Sequence, residues 1–551
     1  MKKHWRHFLS MVLAASFALT LMATGAMAED KLTLSWLGTN PPLEDGTWGE
    51  LRFEEIFGVD VQIIRATDDS QKNTLYASGN VPDYIDLGSA SMSAVASLND
   101  QGIIAPIPME LIREHMPRYY AMCTADDPMF FDYAKIDGEV MAIPRYSATD
   151  PVPLGAAIRA DWLKAVGIDK VPETLEELEA AFVAFRENDP DGNGQKDTYA
   201  LTAAGGENGT AVTRYLFPSI FAAYNVNPYI WQVNGAGELQ FGFTTEAFKE
   251  ALKTLRRWYE MELIDPEFVT DLHRNSGADV TLKFATGRTG YMDNVSFDDY
   301  EYDNDGHVSA KWCANNAAWQ KYFEDNKDAV DLYKYNCTAD FDDSYIEPYY
   351  INLNPVSVDG VGGSYIAGTN VNDYLCFGAN VTEEKMIKLL QIIESLAMDE
   401  DVYVNHFGPE GEEWLWNADK TQRIYNVDWV NHPNYHPQGQ KSGKGWCLWP
   451  MYFCNPEFLT TVYGERQAQR YEHVMPLFNS FKSIHDELRV ALSAQTENPE
   501  LATTFVNSYI VKAIRGDVHI DATFEETVAS WMQQGGEEMT RQANEWYASL
   551  K

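Results

Sequence analysis

Near its middle the chain reads Ile158-Arg-Ala-Asp-Trp-Leu-Lys-Ala-Val-Gly-Ile168, then Val171-Pro-Glu-Thr-Leu-Glu-Glu-Leu178, then Asp189-Pro-Asp-Gly-Asn-Gly-Gln-Lys-Asp197. The second stretch predicts a helix, because Thr174 and Glu177 have the spacing of a capping box. Apolar residues recur at helical spacing on one face of it, which consists of Leu175, Leu178, Phe182 and Phe185. The helix therefore leads directly into the oxygen-rich third stretch.

The third stretch has the spacing of a calcium-binding loop. Side-chain oxygens stand at positions 1, 3, 5 and 9, and Gly194 at position 6 allows the sharp turn. Position 12, where an EF-hand has a bidentate Glu, is Ala200, so this is not a standard EF-hand. A solvated acidic loop of Asx-turns without a metal is the alternative. The predicted calcium ligands are Asp189, Asp191, Asn193, Gln195 and Asp197.

The order of helix, Asp-x-Asp-Gly-Asn-Gly-x-x-Asp loop and strand resembles the family 1 extracellular solute-binding proteins of ABC importers. Within that family it is most similar to the branch that contains alginate- and other oligosaccharide-binding proteins. The resemblance implies a structural calcium ion in this loop. That branch usually has Glu directly after the last Asp, whereas this chain has Thr198.

Further segments carry the same resemblance along most of the chain. Residues 75–87 are similar to the family's "sGdxPDii" segment, and residues 285–294 to its "f..Gk.am" strand. Residues 263–268 match "GLIDPEF" except that Glu262 replaces the glycine, and residues 407–416 resemble "yGxEGxxw". The resemblance implies a type II periplasmic-binding-protein fold, in which two α/β lobes are joined by a hinge and enclose a ligand cleft.

The N-terminus has the pattern of a secretory signal. Basic residues precede an apolar run from Phe8 to about Leu21, and Ala26-Met27-Ala28 follows as a cleavage motif. We expect residues 1–28 to be removed, and no cysteine follows the run to carry a lipid anchor. This predicts a periplasmic protein, with an extracellular location as the alternative.

The net charge of −40 argues against nucleic acid as a partner. The predicted signal peptide holds three Lys or Arg residues and no acidic ones, so the mature chain is still more acidic. Bulk attraction of a polyanion is unfavourable in that field, which favours neutral ligands. Solubility outside the cell is the simpler explanation of the charge.

The length predicts two large lobes, because more than 500 residues exceed what one core usually holds. Following the family, we place residues 29–147 in lobe 1 and residues 148–335, with the calcium loop, in lobe 2. Residues 336–400 are expected to return to lobe 1, and residues 401–551 to form further parts of lobe 2 with C-terminal helices.

The six cysteines contain no C-x-x-C pair, which argues against a thiol redox motif or a zinc ribbon. In an oxidising compartment some of them are able to pair. Cys447 and Cys454 are close enough in sequence for a disulfide within one loop.

The sequence predicts that the protein is not an enzyme. It lacks a G-x-S-x-G elbow, an H-E-x-x-H motif and a phosphate-binding G-x-x-x-x-G-K-[ST] loop. Paired carboxylates are so frequent in this acidic chain that they carry no information about glycosidase chemistry.

Sugar recognition requires flat aromatic faces and planar hydrogen-bonding groups. We therefore select aromatic residues at predicted strand ends and turns, and polar residues beside them, although each aromatic has packing as its alternative. For Arg159 the alternative is a helix cap or a pair near Asp161. The predicted ligand-binding residues are Trp36, Ser89, Tyr146, Arg159, Trp231, Asp293, Asn294, Glu410, Trp414 and Trp416.

Together these observations predict a monomeric receptor that captures a carbohydrate, most simply a neutral oligosaccharide, by closure of its lobes and delivers it to the permease of an ABC transporter. A peptide-binding receptor is one alternative. A secreted carbohydrate-active enzyme is another, from a different class.

Overall fold

The computed structural model describes most of the chain after residue 30. The described ranges are 31–88, 91–147, 155–206, 216–272, 280, 283–284, 287–295, 300–302, 308–310, 350–367, 370–416, 423–425, 439–447, 451, 454–458 and 480–550. The predicted signal peptide lies outside them. Within the described residues, no helix is both long and apolar enough to cross a membrane.

Lobe 1 is built on a five-stranded sheet with the order β2-β1-β3-β17-β6. Strands β1, β2 and β3 are parallel, and β17 runs antiparallel to both β3 and β6. This sheet brings together strands from distant parts of the chain: β1 Leu32–Leu37, β2 Val59–Ile63, β3 Tyr84–Asp86, β6 Ile143–Tyr146 and β17 Val371–Phe377.

Helices pack against this sheet, and together they bury one apolar core. A short hairpin, β4 Lys135–Ile136 with β5 Glu139–Val140, precedes β6. The helices of lobe 1 are α1 Trp48–Phe57, α2 Asp69–Ala77, α3 Met92–Asp100, α4 Met109–His115, α5 Pro117–Asp126, α10 Glu383–Met398, α11 Glu400–Tyr403 and α12 Lys444–Cys447.

Lobe 2 has a second core and its own three-stranded sheet. Its central strand β7 Gly155–Arg159 pairs antiparallel with β10 Tyr291–Val295 and with β13 Tyr350–Leu353. The helices around it are α6 Ala160–Ala165, α7 Leu175–Glu187, α8 Pro218–Ala223, α9 Glu246–Glu260, α13 Ser493–Glu497, α14 Thr504–Arg515, α15 Ile520–Trp531 and α16 Glu537–Ser549.

Two-stranded ribbons complete the described structure. The predicted hairpin after Trp231 is confirmed as β8 Trp231–Val233 with β9 Leu239–Phe241. The others are β11 Tyr300–Tyr302 with β12 Val308–Ala310, β14 Val356–Ser357 with β15 Gly360–Val361, β16 Ser364–Ile366 with β20 Lys482–Ile484, and β18 Trp414–Trp416 with β19 Arg423–Tyr425.

Helix α7 begins where the capping residue predicted it. Thr174 caps α7, and its hydroxyl accepts a hydrogen bond from the Glu177 backbone N–H at 3.1 Å. The Glu177 carboxylate reaches one residue further back than in a standard capping box, to the backbone N–H of Glu173. The four predicted apolar residues are all buried in the core of lobe 2.

Two predicted lobe assignments are wrong. Residues 350–366 still belong to lobe 2, because β13 pairs with β7 and Leu353 and Tyr365 are buried in the lobe 2 core. The return to lobe 1 therefore comes near residue 370. Residues of the 401–458 region, among them Val402 and Trp446, are buried in the lobe 1 core, so this part of the chain does not belong to lobe 2.

The described residues therefore show three changes of lobe: between residues 147 and 155, between 366 and 371, and between 458 and 480. A direct contact also joins the lobes, because the Arg489 guanidinium lies 5.6 Å above the ring of Tyr133. Crossing segments that join two lobes are the arrangement from which hinge motion arises.

Cys447 and Cys454, which are close enough in sequence for a disulfide, do not form one. Both residues are buried as free thiols, as are Cys123 and Cys376. Burial raises the pKa of the Cys454 thiol to about 12, so these side chains act as apolar packing groups. Cys313 and Cys337 lie outside the described residues.

Candidate functional site

The carboxyl ends of the parallel strands in lobe 1 meet at one edge of the sheet. Strand β1 ends at Leu37, β3 at Asp86 and β6 at Tyr146, while the antiparallel β17 begins beside them. Ligands of open α/β sheets bind at this edge. Ser89, one of the predicted residues, follows β3 here but lies outside the described residues.

Two buried carboxyl groups meet at this edge. Asp86 lies opposite Leu375 in the β3–β17 pairing, which places Asp373, two residues earlier, on the same face of the sheet. Both residues are buried, and the charge of Asp86 acts on the carboxyl group of Asp373.

Arg145 completes the cluster from the neighbouring strand, since it pairs with Asp373 across β6 and β17. Burial raises the pKa of Asp373 well above its ordinary value, the charge of Asp86 raises it further, and the Arg145 guanidinium opposes both effects. The edge of lobe 1 thus carries carboxyl and guanidinium groups that are fixed by strand register. Such planar groups bind vicinal hydroxyls well.

Asp86, Arg145 and Asp373 were not among the residues predicted from the sequence. The signal for Asp86 was present, because it is the last residue of the strand in the "PDYIDL" segment and precedes Gly88. Arg145 had a similar position beside the selected Tyr146. Asp373 gave no local signal, since only the pairing of β17 with β3 and β6 brings it to this edge.

The prediction for Trp36 is corrected, because its ring is fully buried. The indole stacks on Tyr84 with 3.7 Å between ring centroids and meets Trp446 edge-on. Its Nε1 donates to the Trp446 carbonyl oxygen at 3.1 Å. Trp36 therefore has no free face for a sugar and fastens the 439–447 segment to the sheet.

Tyr146 is half-buried at the end of β6. Its hydroxyl donates to Asp126 at 3.2 Å, and its ring packs near Phe130. The Tyr146 backbone N–H donates to the hydroxyl of Tyr119 at 2.6 Å. The side chain is thus held at the same edge as Arg145 with part of its surface exposed.

In lobe 2, the prediction that Arg159 binds the ligand is corrected, because the side chain takes its alternative role and pairs with Asp161. The side chain is buried, donates to both carboxylate oxygens of Asp161 at 2.7 and 2.6 Å, and donates to the Phe284 carbonyl oxygen at 3.2 Å. Its guanidinium also lies 5.1 Å from the ring centroid of Trp162. Arg159 therefore fixes the start of α6 rather than facing a ligand.

The prediction for Trp231 is also corrected, since its side chain is buried in the lobe 2 core beside Phe241. Its backbone N–H donates to the Asp486 carboxylate at 3.1 Å. Trp231, which was selected because it stands at the start of the hairpin, therefore serves packing.

Asp293 is one of the buried polar residues of lobe 2 with an atom that lacks a hydrogen-bond partner among the described residues. It lies in β10 and is 8% exposed, and its Oδ1 accepts from the Tyr291 hydroxyl at 3.3 Å. Its Oδ2 has no hydrogen-bond partner within the described part of the chain. Burial raises the pKa of Asp293 to about 7, while hydrogen bonds from Ser219 oppose the shift. Asn294 follows it in the same strand.

The predicted turn around Glu410 forms and presents aromatic rings. Trp414 donates from Nε1 to the Gly408 carbonyl oxygen at 2.9 Å and meets Trp416 edge-on. Trp416 is 37% exposed, and Glu410 is exposed at the tip of the turn. This turn is held from below by a buried ion pair between Glu413 and Lys444.

In the predicted calcium loop, hydrogen bonds from Asn193 connect two of the carboxylates. Nδ2 of Asn193 donates to Asp191 at 2.8 Å and to both carboxylate oxygens of Asp197 at 3.2 and 3.3 Å. Asp189 accepts from the backbone N–H groups of Asn193 and Gly194. A donor group thus lies between carboxylates that otherwise repel one another. Side-chain oxygens are the ligands that calcium prefers, but within the described residues no group of three or more acidic, His or Cys side chains is placed to hold a metal ion.

The aspartates of this loop shift one another's pKa values. Burial raises the pKa of Asp191, and a hydrogen bond with Asp189 raises it further. The backbone N–H of Gly194 lowers the pKa of Asp189. Thr198 does not contribute, because its buried hydroxyl donates to the Phe185 carbonyl oxygen at 2.8 Å and points back to α7.

Comparison with known proteins agrees with this fold. The fructooligosaccharide ABC transporter substrate-binding protein FusA of Streptococcus pneumoniae is 27% identical over 295 residues, which cover 50% of this chain and 53% of FusA. The chain spans about half the length, or less, of the curated relatives it matches. No protein-family model matches.

Solved structures show the same fold over nearly the whole chain. FusA in complex with kestose has a TM-score of 0.62 at 17% identity and covers 94% of this chain and 99% of its own. The alginate-binding protein AlgQ2 without calcium ion has a TM-score of 0.63 at 16% identity and covers 95% and 99%. The resemblance to ABC-importer solute-binding proteins and the two-lobed α/β fold are therefore confirmed.

Proposed function

We propose that this protein, which has the fold of the solute-binding proteins of ABC importers, is an extracytoplasmic receptor that captures a neutral oligosaccharide and delivers it to a membrane permease. The observation that carries this proposal is the cluster of Asp86, Arg145 and Asp373 at the carboxyl edge of the lobe 1 sheet. Its planar groups suit sugar hydroxyls, and FusA, a relative in sequence, is named for fructooligosaccharides.

Binding in this proposal involves no covalent chemistry. The sugar enters between the lobes, and polar groups from both lobes, with Asp293 as the acceptor in lobe 2, bind its hydroxyls. Because the closed form then makes contacts that the open form lacks, the ligand shifts the population toward closure. The permease recognises that closed form. We also propose that the receptor is a monomer, exported to the periplasm by residues 1–28.

A structural calcium ion in the 189–197 loop belongs to the same proposal. Asp189, Asp191, Asn193 and Asp197, with the backbone at Gln195, would hold it. The ion would offset the repulsion of the three carboxylates. A structure of FusA as an EF-hand mutant in complex with fructo-nystose is among the similar structures, which supports a loop of this kind in the family.

Thermal-shift screening of the protein lacking residues 1–28, in calcium, tests the function. The panel holds neutral oligosaccharides, uronic oligosaccharides and peptides, and a ligand at 100 times its dissociation constant adds about 2.7 kcal/mol to the free energy of unfolding. We expect a shift with a neutral oligosaccharide. Arg145→Ala and Asp293→Asn should weaken that binding, while Glu526→Gln, which removes an exposed charge on α15, should not.

Other outcomes decide between the alternatives. A shift with peptides alone replaces the sugar receptor with a peptide receptor. Hydrolysis of any oligosaccharide by the purified protein, followed by chromatography of the products, would reveal an enzyme. No shift with any compound contradicts the receptor function.

A further inference from the structure

The contact between Arg489 and Tyr133 links the two lobes through their side chains. Arg489 belongs to lobe 2, because its neighbour Leu488 packs against the core of that lobe. Tyr133 belongs to lobe 1, since the adjacent Ala134 is buried in the lobe 1 core. The guanidinium carbon of Arg489 lies 5.6 Å from the ring centroid of Tyr133, so the contact spans the boundary between the lobes.

The turn that precedes Arg489 is fastened to the β8–β9 hairpin of lobe 2. The carboxylate Oδ1 of Asp486 accepts hydrogen bonds from the backbone N–H groups of Trp231 at 3.1 Å and of Leu488 at 3.0 Å. The backbone N–H of Glu487 donates to the Trp231 carbonyl oxygen at 2.9 Å. Arg489 therefore moves with lobe 2 when the lobes move relative to each other.

The charge of Arg489 acts on two tyrosines of lobe 1. Burial raises the pKa of Tyr133, the neighbouring Asp127 raises it further, and the Arg489 charge opposes both effects. Burial also raises the pKa of Tyr374 in β17, and Arg489 opposes that shift as well. Arg489 and Asp127 thus lie near the same tyrosine ring, with opposite charges and on opposite sides of the lobe boundary.

The guanidinium of Arg489 has unused binding capacity. The side chain is half-buried, and it forms neither an ion pair nor a hydrogen bond with any residue that the structure describes. A guanidinium carries five N–H donors in a planar arrangement that matches a carboxylate. The ring of Tyr133 offers an attractive face but no carboxylate.

Asp127 is the carboxylate of lobe 1 that remains available beside this ring. It is half-buried, its Oδ1 accepts from the Met129 backbone N–H at 2.9 Å, and it has no ion-pair partner in the described ranges. Asp132, the other carboxylate that acts on Tyr133, is already paired with Lys135 at 2.5 Å. A small approach of the lobes would give Asp127 and the guanidinium the partner that each lacks.

We propose that Arg489 and Asp127 form an ion pair between the lobes when the cleft closes, and we call this pair the interlobe latch. In the described arrangement the guanidinium lies over Tyr133, and closure moves it from the ring to the carboxylate. The latch exists in the closed form alone, so it raises the population of that form with or without a ligand. Its effect on binding rests on the proposed receptor function, whereas its effect on lobe closure does not.

Small-angle X-ray scattering of the protein lacking residues 1–28, in calcium and without sugar, tests the latch directly. Arg489→Gln and Asp127→Asn should each increase the radius of gyration, because the open form becomes more populated. Salt should increase the radius of the wild type but not that of the variants, since it screens the ion pair. Arg515→Gln and Asp100→Asn, which remove exposed charges within one lobe, are the matched controls.

Calorimetric titration with the neutral sugars kestose and nystose measures the effect on binding. Each single variant should weaken binding about twofold to tenfold, because the apparent dissociation constant rises as the closed form becomes rarer. Arg489→Gln combined with Asp127→Asn should bind no more weakly than either single variant, since both remove the same interaction. The exchanged pair, Arg489→Asp with Asp127→Arg, should recover affinity and radius, which a purely structural role would not produce.

Three results would overturn the latch and leave the receptor function intact. They are radii and affinities of Arg489→Gln equal to those of the wild type, losses of affinity that add in the double variant without recovery in the exchanged pair, and tighter binding by Arg489→Gln. If neither sugar binds, scattering alone decides: larger radii of both variants that the exchanged pair reverses support the latch, and unchanged radii overturn it.

Discussion

Arg186 donates from its Nη2 to the Glu262 carboxylate at 2.8 Å, and so joins the end of α7 to the segment that follows α9. Glu262 has a φ of 58°, the left-handed conformation that favours glycine. The similar family motif has glycine at this position, and here the ion pair accompanies its replacement. The same guanidinium donates to the carbonyl oxygens of Lys196 and Thr198 at 3.0 Å, which anchors the end of the predicted calcium loop.

Glu262→Gly should change stability little, because relief of the left-handed strain offsets the loss of the ion pair. The Glu262 carboxylate is exposed, and the buried Arg186 guanidinium keeps its hydrogen bonds to the carbonyl oxygens of Lys196 and Thr198. Glu262→Ala loses the ion pair and keeps the strain, so it should be less stable than Glu262→Gly by about 1 kcal/mol. Urea unfolding followed by tryptophan fluorescence measures both. Equal stability of the two variants would show that the backbone is not strained at this position.

Asp191→Ala should lower the Tm in calcium while the affinity for sugar stays nearly unchanged, because calcium binding to the native state alone adds to the free energy of unfolding. Calorimetry in calcium and in chelator measures the Tm. Asp169→Ala, which removes an exposed carboxylate outside the loop, is the matched control. A wild-type melting curve that is the same with calcium and with chelator would remove the structural calcium from the proposal.

Glu413→Gln should destabilise lobe 1 by about 3–5 kcal/mol, because it leaves the Lys444 ammonium buried without its carboxylate. Burial already lowers the pKa of Lys444, and the Glu413 charge opposes this effect. The ammonium also donates to the Phe407 carbonyl oxygen at 2.9 Å, so it holds the turn that carries Trp414. Urea unfolding gives the free energy.

Adding Lys444→Met to Glu413→Gln should recover part of the stability, since the double variant buries no unpaired charge. The exposed pair Arg541 and Glu538 provides a matched comparison, and Glu538→Gln should cost far less. If Glu413→Gln is as stable as the wild type, the ion pair does not hold the turn.

Asp293→Asn should make the protein more stable than the wild type at pH 8 and give no such advantage at pH 5. Burial raises the pKa of Asp293 to about 7, so the folded state retains a proton that the unfolded state releases above its ordinary pKa near 3.8. The stability of the wild type therefore falls as the pH rises from about 4 through 7, by on the order of 2 kcal/mol or more.

Calorimetric Tm values of both proteins from pH 5 to 8 test this dependence, with calcium and ionic strength held constant. Parallel curves for the wild type and Asp293→Asn would mean that Asp293 does not titrate in this range. The variant lacks only the charge, so its shape in the core stays the same.

Local patterns in the sequence determined the elements and the type of fold. The capping residue Thr174 and the apolar face of α7 are adjacent along the chain, and so are the turn residues between Trp231 and Phe241, so their conformations follow from short-range interactions. The spaced oxygens of the 189–197 loop also converge because the turn itself brings them together. The motifs that resemble solute-binding proteins also predicted the two-lobed architecture.

Only the tertiary structure decided which selected side chains have a free surface and which carboxylates meet. Trp36 ends a strand as predicted, but Trp446, more than 400 residues later, covers it. Asp86, Arg145 and Asp373 become neighbours through strand register between distant segments, and β13 joins lobe 2 in the same way. Burial and pairing of this kind depend on contacts between residues far apart in sequence, which local periodicity does not encode.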